Sequence, residues 1–406
     1  MSAEPRNGPL SGVRVIELAH IMAGPVCGLM LADMGADVIK VEKVPGGDDA
    51  RRFVPPDIEG ESAAFMMMNR NKRGIALDLK QPSARDALLE LIKTADVIIE
   101  NYRIGTMDKL GLSYETMKAI NPGLIYCEVS GFGRTGPYKD RGGFDLVAQG
   151  MSGLMSITGE GPDRPPVKVG PPISDITAGI LAAMGVVAAY THKLKTGEGQ
   201  RVDTSLFEAA ITHTYWQSAI CFATGVAPGP MGSAHPLNAP YQSFKSKDGW
   251  INIGAANQAN WERMLSAIGT PELNDDDRFS TNAGRQANLE ALVNVLNARI
   301  GTKTTDEWMV LLEAVGVPAG PVLDIAQMHQ DPQVIAREMV TEVEHATAGT
   351  VKTIGLPVKF SKTPGKVMNA APTYGQHTIE VLEEIGLNAE TIAALLNSKA
   401  AISTED

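Results

Sequence analysis

Asp175 is the residue whose type and surroundings first suggest chemistry. It is the only charged residue between Lys168 and His192, and it lies where a proline-rich turn leads into the apolar run ITAGILAAMGVVAAY. A carboxylate at the start of a helix is kept ionised by the helix dipole and, in an apolar wall, can act as a nucleophile. Aspartate is also a common helix N-cap, although Ser174 could fill that role instead. The residues alone leave the nucleophile and the cap open.

Several other kinds of catalytic site lack their motifs in this sequence. The turn after the first predicted strand reads AHIMAGP, without the Gly-x-Gly-x-x-Gly pattern of dinucleotide-binding enzymes. The Gly-x-Ser-x-Gly pentapeptide that presents a hydrolase serine does not occur. The seven histidines and three cysteines are scattered, without a pair at metal-ligand spacing. We therefore expect neither a nicotinamide cofactor nor a bound metal.

Two basic loops could hold a phosphorylated ligand. In the first, Arg70, Lys72 and Arg73 fill three of four positions just before a predicted strand. The second, residues 130–145, is rich in glycine, follows a strand and carries three more basic residues. Basic side chains at such places bind phosphates through charge-assisted hydrogen bonds. A solvated surface loop explains the same composition, so both interpretations stay open.

The overall composition is that of a globular protein. Of 406 residues, 44% are hydrophobic and 20% charged, and the net charge is −11. An acidic chain lacks the basic face of a general nucleic-acid binder. The opening residues MSAEPRNGPL contain no apolar signal core, and the apolar run after Asp175 is shorter than the roughly 20 residues that a bilayer requires. We expect reduced cysteines, a cytoplasmic location, and no membrane or nucleic-acid partner.

Strands and helices alternate in the first half of the chain. Residues 13–18 predict a strand, Pro25 suits the first turn of a helix that Gly35 ends, and residues 36–41 predict a second strand. Further strands are predicted at 75–79, 95–100 and 124–129. This alternation predicts an α/β fold with a Rossmann-like, doubly wound parallel sheet over about the first 200 residues.

The composition changes near residue 222, where the stretch ATGVAPGPMGSAHPLNAP is dense in glycine and proline and indicates a linker. Downstream, the sequence predicts a strand at 249–254 and helices at 259–268, 287–299, 305–315 and 377–397. We interpret the part up to the break at 316–321 as a second, smaller α/β domain.

An ordered series of short motifs resembles the class III coenzyme A transferases, the group that includes formyl-CoA:oxalate transferase, carnitine CoA-transferase and the α-methylacyl-CoA racemases. The resemblance covers almost the whole chain. The motifs are PLSGVRVIEL from Pro9, AGP from Ala23, LADMGADVIKVE from Leu31, NKRGIALDLK from Asn71, ADVIIEN from Ala95, SGFG from Ser130, GFD from Gly143, TGEGQRVD from Thr196, GVPAGPV from Gly316, DPQ from Asp331, AREMV from Ala336 and GQHT from Gly375. Each is weak by itself, whereas the ordered series is specific.

The resemblance implies a two-domain subunit and a homodimer of two interlocked chains. It predicts a large Rossmann-like CoA-binding domain from residues 1–205 together with 335–406, a linker at 206–229, a small domain at 230–325 and a second linker at 326–334. It also implies that coenzyme A and acyl-CoA are substrates and that no cofactor is tightly bound. The free acid would be a small dicarboxylate or hydroxy acid.

The resemblance also implies roles for individual residues. Asp175 matches the family's nucleophile within a Val-Gly-x-x-x-x-Asp pattern, and would carry a mixed anhydride and an aspartyl-CoA thioester. Asp145 matches an acidic residue near that nucleophile. The implied CoA contacts are Met22, Ala23, Lys43, Leu77, Asp78, Leu79, Lys80, Asn101, Tyr102, Arg103 and Lys109.

Departures from the family's pattern bear on the substrate. Residues 231–236 replace the glycine run that closes over the nucleophile in formyl-CoA transferases, and Met22 replaces their glutamine, which argues against oxalate as the acceptor. Phe144 stands where the racemases carry a histidine, although a racemase needs a base on each face of the α-carbon. A CoA-transferase is thus the expected function, with an α-methylacyl-CoA racemase and a non-catalytic CoA-binding protein as the alternatives.

Overall fold

The computed structural model describes residues 7–404, which form two compact units. The large unit contains the described residues up to Leu154, residues Lys168–Trp216 and the residues from Pro332 onwards. The small unit contains Met155–Val167 and Gln217–Asp331.

Fourteen strands occur among the described residues. In chain order they are β1 (Arg14–Glu17), β2 (Asp37–Lys43), β3 (Asp57–Ile58), β4 (Glu61–Ser62), β5 (Arg73–Leu77), β6 (Val97–Glu100), β7 (Ile125–Ser130), β8 (Arg201–Ser205), β9 (Tyr241–Lys245), β10 (Trp250–Gly254), β11 (Ala319–Pro321), β12 (Val340–His345), β13 (Gly349–Ile354) and β14 (Ala401–Ile402).

The same residues form seventeen α-helices. These are α1 (Ala23–Asp33), α2 (Ala63–Asn69), α3 (Pro82–Ile92), α4 (Thr106–Lys109), α5 (Tyr114–Ile120), α6 (Asp145–Met151), α7 (Ile173–Thr196), α8 (Leu206–Thr212), α9 (Tyr215–Thr224), α10 (Gln258–Ile268), α11 (Asn282–Ala287), α12 (Leu289–Ile300), α13 (Thr305–Ala314), α14 (Ile325–Met328), α15 (Pro332–Ala336), α16 (Thr378–Glu384) and α17 (Ala389–Asn397).

The large unit is built on one seven-stranded sheet. Its order is β14-β5-β2-β1-β6-β7-β8. Six strands are parallel, and β14 joins the β5 edge in the antiparallel sense, with Ala401 opposite Leu77. The predicted α/β class with a parallel sheet is confirmed. The chain moves outward from β1 in one direction through β2 and β5, and in the other through β6, β7 and β8. A topological switch point therefore lies between β1 and β6.

Helices cover both faces of this sheet, because the side chains of each strand alternate between two cores. Val15 of β1 packs into a core with α1 and α7, whereas its neighbour Ile16 packs into a core with α3, α5, α16 and α17. Both residues have no solvent exposure. The alternation fixes the register of β1, since a shift by one residue would exchange the two cores.

The helix that carries Asp175 is longer than predicted. Helix α7 has 24 residues and a mean hydropathy of 1.6, so by length and composition alone it could cross a membrane. In the large unit it packs against α1, α8, β7 and β8. The residues on its buried side are small: Ala178, Gly179, Ala182, Ala183, Val186 and Ala189. Small side chains let α1 and α7 approach closely.

The small unit has an antiparallel sheet of three strands, in the order β11-β10-β9. Helices α10, α12 and α13 supply most of its core, around the fully buried Trp261 and Trp308. The indole N–H of Trp308 donates to the carbonyl of Ile300 at 2.6 Å. Residues 231–236, predicted to match the family's closing loop, belong to this unit.

Two predictions about local structure are wrong. Residues 206–229, predicted to be a linker, contain α8 and α9. Helix α8 is capped by Ser205, whose hydroxyl accepts from the Glu208 N–H at 3.1 Å, and Ala209 and Ala210 are buried. The single helix predicted at 377–397 is divided into α16 and α17, because Gly386 has a φ of +85° between them.

Candidate active site

The loops that follow the parallel strands lie along one edge of the sheet, where the carboxyl ends of the strands meet. Every predicted CoA contact except Lys109 lies at or just after a strand end. Met22 and Ala23 follow β1, Lys43 ends β2, Leu77, Asp78, Leu79 and Lys80 lie at the end of β5, and Asn101, Tyr102 and Arg103 follow β6. Lys109 is the last residue of α4, shortly after β6.

The turn after β1 is fixed to the turn after β6 across the switch point. The Asn101 side chain accepts from the His20 N–H at 2.9 Å and donates to the His20 carbonyl at 2.8 Å. The rings of His20 and Tyr102 meet edge to face, with centroids 5.5 Å apart. Burial lowers the pKa of His20. Two loops distant in sequence thus form one rigid wall.

Ile21 lies in this wall with a φ of +67°. A β-branched residue in the left-handed region is strained, at a cost of about 1–3 kcal/mol. The Asp48 carboxylate holds it there by accepting from the Ile21 N–H at 3.0 Å. The strain directs the following residues, Met22 and Ala23, into the start of α1.

A buried group of charges supports the same turn from below. Lys40 pairs with Glu17 at 3.0 Å and with Asp48 at 2.8 Å, and Lys72 pairs with the other oxygen of Glu17 at 2.7 Å. Burial lowers the pKa of Lys72 to about 8, although Glu17 opposes the shift. Despite burial, Lys40 lowers the pKa of Asp48 to about 2. Lys40 also donates to the Ala19 carbonyl at 2.9 Å, so the charges position the turn directly.

Asp175 lies in the first turn of α7, opposite Asp145 at the start of α6. One oxygen of Asp145 accepts from the Ser174 N–H at 2.9 Å. Asp145 therefore caps α7 from another helix, and the expectation that Ser174 could be the cap is wrong. The N-cap position is Pro172, and the Ser174 hydroxyl is buried without a hydrogen-bond partner among the described residues. The Asp175 carboxylate is left free of the capping role.

The environment of Asp175 raises its pKa to about 7. Burial is the larger cause, since it disfavours the charged form, and the negative charge of Asp145 is the second. A carboxylate that is poorly solvated and titrates near neutral pH is suited to act as a nucleophile.

Helix packing brings Asp175 close to the turn after β1. Gly179 lies one turn after Asp175, and a Cβ at Gly179 would be 2.6 Å from the Ala23 carbonyl oxygen and 2.6 Å from the Val26 Cβ. The first turn of α1 is thus in contact with the second turn of α7, one turn after Asp175. Met22 and Ala23, predicted from the resemblance to contact CoA, lie at the start of the helix that packs against α7.

The remaining predicted CoA contacts differ in how exposed their side chains are to a ligand. Lys43 is exposed and pairs with Asp49 at 2.6 Å. The Leu77 side chain is buried in the core, so only its backbone could touch a ligand. Arg103 is exposed and lies near Gly142, where a Cβ would be 3.5 Å from a guanidinium nitrogen. Lys80 and Lys109 are exposed at the same edge.

Most of the other basic residues considered as phosphate ligands have structural partners instead. Arg70 pairs with Asp33 at 2.6 Å, and Arg73 pairs with Asp37 at 2.7 Å. Arg134 is almost buried and pairs with Glu128 at 3.0 Å and also with Glu100. Together with Lys72, these cations hold the sheet and its loops. Lys139 and Arg141 of the glycine-rich loop remain exposed.

Sequence reasoning missed Gln149, which is fully buried and bonded to Asp145. Its amide donates to Asp145 at 2.8 Å, and its carbonyl accepts from the Val169 N–H at 2.9 Å. The spacing of Asp145 and Gln149 places both on one face of α6, which could have indicated the contact. The hydrogen bond to Val169 could be found only from the folded structure.

The match to known families agrees with this geometry. Residues 10–378 match the model of a family described as CoA-transferase family III. The chain belongs to CoA-transferase family III. It is an enzyme that uses CoA thioesters as substrates, as the other members of this family do.

Relatives of this CoA-transferase include one bacterial and one archaeal protein. The succinate–glutarate CoA-transferase of Agrobacterium fabrum is 39% identical over 94% of this chain and 96% of its own. The succinyl-CoA:mesaconate CoA-transferase of Haloarcula hispanica is 39% identical over 95% of this chain and 98% of its own. A solved structure of a CAIB/BAIF family protein from Brucella suis has a TM-score of 0.85 and 40% identity, covering 94% of this chain and 100% of that one.

Proposed function

We propose that this CoA-transferase moves coenzyme A from succinyl-CoA to a small dicarboxylic acid through covalent intermediates on Asp175. The observation that carries the proposal is the position of the Asp175 carboxylate, which lies in the first turn of α7 while Asp145 accepts from the Ser174 N–H as the cap. The names of the two relatives above supply the substrate class, since both act between succinate or its CoA thioester and another dicarboxylic acid.

The reaction begins with attack of an Asp175 oxygen on the thioester carbonyl. The carbon–sulfur bond breaks, CoA leaves as the thiolate, and a mixed anhydride links Asp175 to the succinyl group. The thiolate then attacks the aspartyl carbonyl, which releases succinate and forms an aspartyl-CoA thioester. Dividing one exchange into several covalent steps lowers each barrier.

The acceptor acid repeats these steps in reverse. Its carboxylate attacks the aspartyl-CoA carbonyl, which expels the CoA thiolate and forms a second mixed anhydride. The thiolate attacks the acceptor's acyl carbon, so CoA leaves on the acceptor and the Asp175 carboxylate is regenerated. Each carbonyl attack creates an oxyanion that hydrogen-bond donors must stabilise.

The edge of the sheet supports the assignment of the CoA site. In this proposal Met22 and Ala23 contact the thioester end, because α1 packs against α7 at Gly179, one turn after Asp175. The strand ends at Leu77–Lys80 and Asn101–Arg103 contact the adenosine end. Lys43, Lys80, Arg103 and Lys109 supply positive charge for the phosphates.

Trapping of the intermediate tests the proposed chemistry. Incubation with succinyl-CoA alone, followed by hydroxylamine, should convert Asp175 to a hydroxamate that peptide mass spectrometry locates. The Asp175→Ala variant should give neither the adduct nor turnover with a dicarboxylate. Normal turnover by this variant would contradict the proposal. Deuterium from solvent appearing at the α-carbon of a 2-methylacyl-CoA, without an acceptor acid, would indicate a racemase instead.

We also propose that the enzyme is a homodimer with interlocked chains. The side of α7 that faces away from the sheet exposes Ile180, Met184 and Leu194 at 47%, 63% and 71%. Exposed apolar area of this kind is typical of a surface that another chain covers. Sedimentation of the full chain should give the mass of two subunits, and Met184→Glu should shift it toward one. A cytoplasmic location stays a prediction.

A further inference from the structure

Gln149 joins the two segments that meet at the start of α7. Its side-chain N–H donates to Asp145 at 2.8 Å, and its side-chain oxygen accepts from the Val169 N–H at 2.9 Å. The other oxygen of Asp145 accepts from the Ser174 N–H at 2.9 Å. These three bonds link residues 145, 149, 169 and 174 in one line. Asp175 follows immediately after the line ends.

Other hydrogen bonds of the turn between Val169 and Ser174 are local: the Ile173 N–H donates to the Pro171 carbonyl at 2.8 Å. The Lys168 side chain donates to the Val169 carbonyl at 3.0 Å, and also to the carbonyl of Gly170. Pro171 and Pro172 have no N–H to donate. The turn is joined to α6 through the Gln149 oxygen at one end and the Asp145 oxygen at the other.

We infer that Gln149 is a positioning residue for the transferase reaction, because its amide couples the Asp145 carboxylate to the turn before α7 and thereby fixes the direction of the Asp175 carboxylate. The inference rests on the proposed function, in which Asp175 is the nucleophile. Misplacement of a nucleophile by about 1 Å can cost on the order of 100-fold in rate. The buried amide of Gln149 restrains this movement without placing a further charge beside Asp145.

The charged groups around Asp175 determine how the pH dependence of the rate can be interpreted. Asp145 of α6 is the charge that acts on Asp175. The first turn of α1 presents uncharged residues to α7. His213, at the end of α8, contacts Thr177 at 2.8 Å, and Glu208 of α8 bonds to Ser205. On the strands beneath, Glu128 pairs with Arg134 and Arg201. At the far end of α7, Lys193 pairs with Asp96.

The hydrogen-bond donor and acceptor groups of Asp145 and Gln149 can be exchanged by mutation. In Asp145→Asn, the new amide N–H faces the N–H of Gln149, so two donors oppose each other. In Gln149→Glu, two carboxylates face each other. In the double variant Asp145→Asn/Gln149→Glu, Asn accepts from Ser174 and donates to Glu, and Glu accepts from Val169. All three hydrogen bonds are restored, and the negative charge moves from residue 145 to residue 149.

The test compares turnover of succinyl-CoA with a dicarboxylate in the wild type, the two single variants and the double variant. Each single variant should lose about 10- to 100-fold in kcat, with a smaller change in KM for the thioester. The double variant should recover to within several-fold of the wild-type kcat. Its acid limb in the pH profile should also lie at lower pH, because the negative charge leaves residue 145, the charged neighbour that acts on Asp175.

Two results would overturn the inference: single variants with wild-type kcat, or a double variant no better than the product of the two single effects. If the single variants do not fold, recovery of the melting temperature in the double variant tests the same exchange. The isosteric Gln149→Met removes both hydrogen bonds without adding charge, and its kcat should fall similarly. Failure of the proposed function is recognised separately, since Asp175→Ala would then remain active.

Discussion

Asp145 and Asp175 each lie in the first turn of a helix, and the first carboxylate caps the helix that carries the second. Asp145 accepts from the backbone N–H of Ser174 at 2.9 Å, while its charge helps to raise the pKa of Asp175 to about 7. One residue thus frees its neighbour from a structural task and also disfavours its ionised form. This combination suits a carboxylate that must attack a thioester.

Asp175→Asn should make the enzyme inactive but more stable at alkaline pH. Burial and Asp145 raise the pKa of Asp175 from 3.8 to about 7 in the folded chain. Above pH 7 the folded state must hold an unfavourable charge, whereas between pH 7 and pH 4 it binds a proton that the unfolded chain lacks. Wild-type stability therefore rises as the pH falls through this window, by at most about 4 kcal/mol.

Urea unfolding at several pH values measures this difference. The Asp175→Asn variant should exceed the wild type most at pH 8, and the advantage should disappear near pH 4. Asp86→Asn, on the exposed face of α3, provides the control and should leave the pH dependence unchanged. An advantage of Asp175→Asn that does not vary with pH would contradict the expectation.

The rate of the wild-type enzyme should fall at acid pH with a single ionisation near pH 7. Only the ionised form of Asp175 can attack, and its pKa is about 7. A plot of log kcat/KM against pH should therefore have a slope of one below this value. A rate that stays constant down to pH 5 would contradict the expectation, because an attacking Asp175 with a pKa of about 7 would be mostly protonated at that pH.

Gly179→Ala should weaken both folding and catalysis. A Cβ at this position would be 2.6 Å from the Ala23 oxygen and 2.6 Å from the Val26 Cβ, so α1 and α7 would have to separate. Overpacking of a tight contact costs about 1–3 kcal/mol. The same movement shifts the start of α1 relative to α7, which carries Asp175, and should lower kcat/KM for the thioester.

Thermal unfolding and steady-state kinetics measure both effects of Gly179→Ala. Gly161→Ala is a suitable control, because a Cβ there meets nothing within 4 Å. That control should unfold and react like the wild type. Equal behaviour of the two variants would mean that the contact between the helices does not constrain the site.

Lys43→Ala should raise the KM for succinyl-CoA by about 5- to 10-fold, since a charge-assisted phosphate contact contributes about 1–2 kcal/mol. The increase should shrink at high salt, which screens exposed charges. Lys93→Ala is the matched control: Lys43 and Lys93 have side chains 48% and 52% exposed, and each pairs with a carboxylate at 2.6 Å. An equal change in KM for both variants would contradict the assignment of Lys43 to the CoA site.

The sequence was sufficient for the parallel sheet and for the loops at its carboxyl edge. Buried strands such as 13–18 and 95–100 are mostly apolar, and their order along the chain predicts the doubly wound arrangement. Helices α8 and α9 were missed because glycines and prolines farther along, from residue 225, dominated the interpretation, although Ser205 and Glu208 carry a capping pattern.

The polar contacts of the site could not be predicted in the same way. Local sequence leaves both Asp175 and Ser174 as candidates for the cap of α7, but the fold brings Asp145 to the Ser174 N–H from another helix. Lys40 and Glu17 each belong to a strand, and only the pairing of β1 with β2 shows that they meet in the interior. Contacts of this kind depend on tertiary structure, which one sequence does not display.

Strand β14 has a consequence for how the enzyme is made. Ala401 and Ile402 complete the sheet beside β5, and the Asp78 N–H at the proposed adenosine end donates to the Ala400 carbonyl at 2.8 Å. During synthesis, β5 leaves the ribosome long before β14, and all residues of the small unit are translated between them. The β5 edge of the nascent large unit therefore stays unpaired, and open to pairing with other chains, until translation supplies β14.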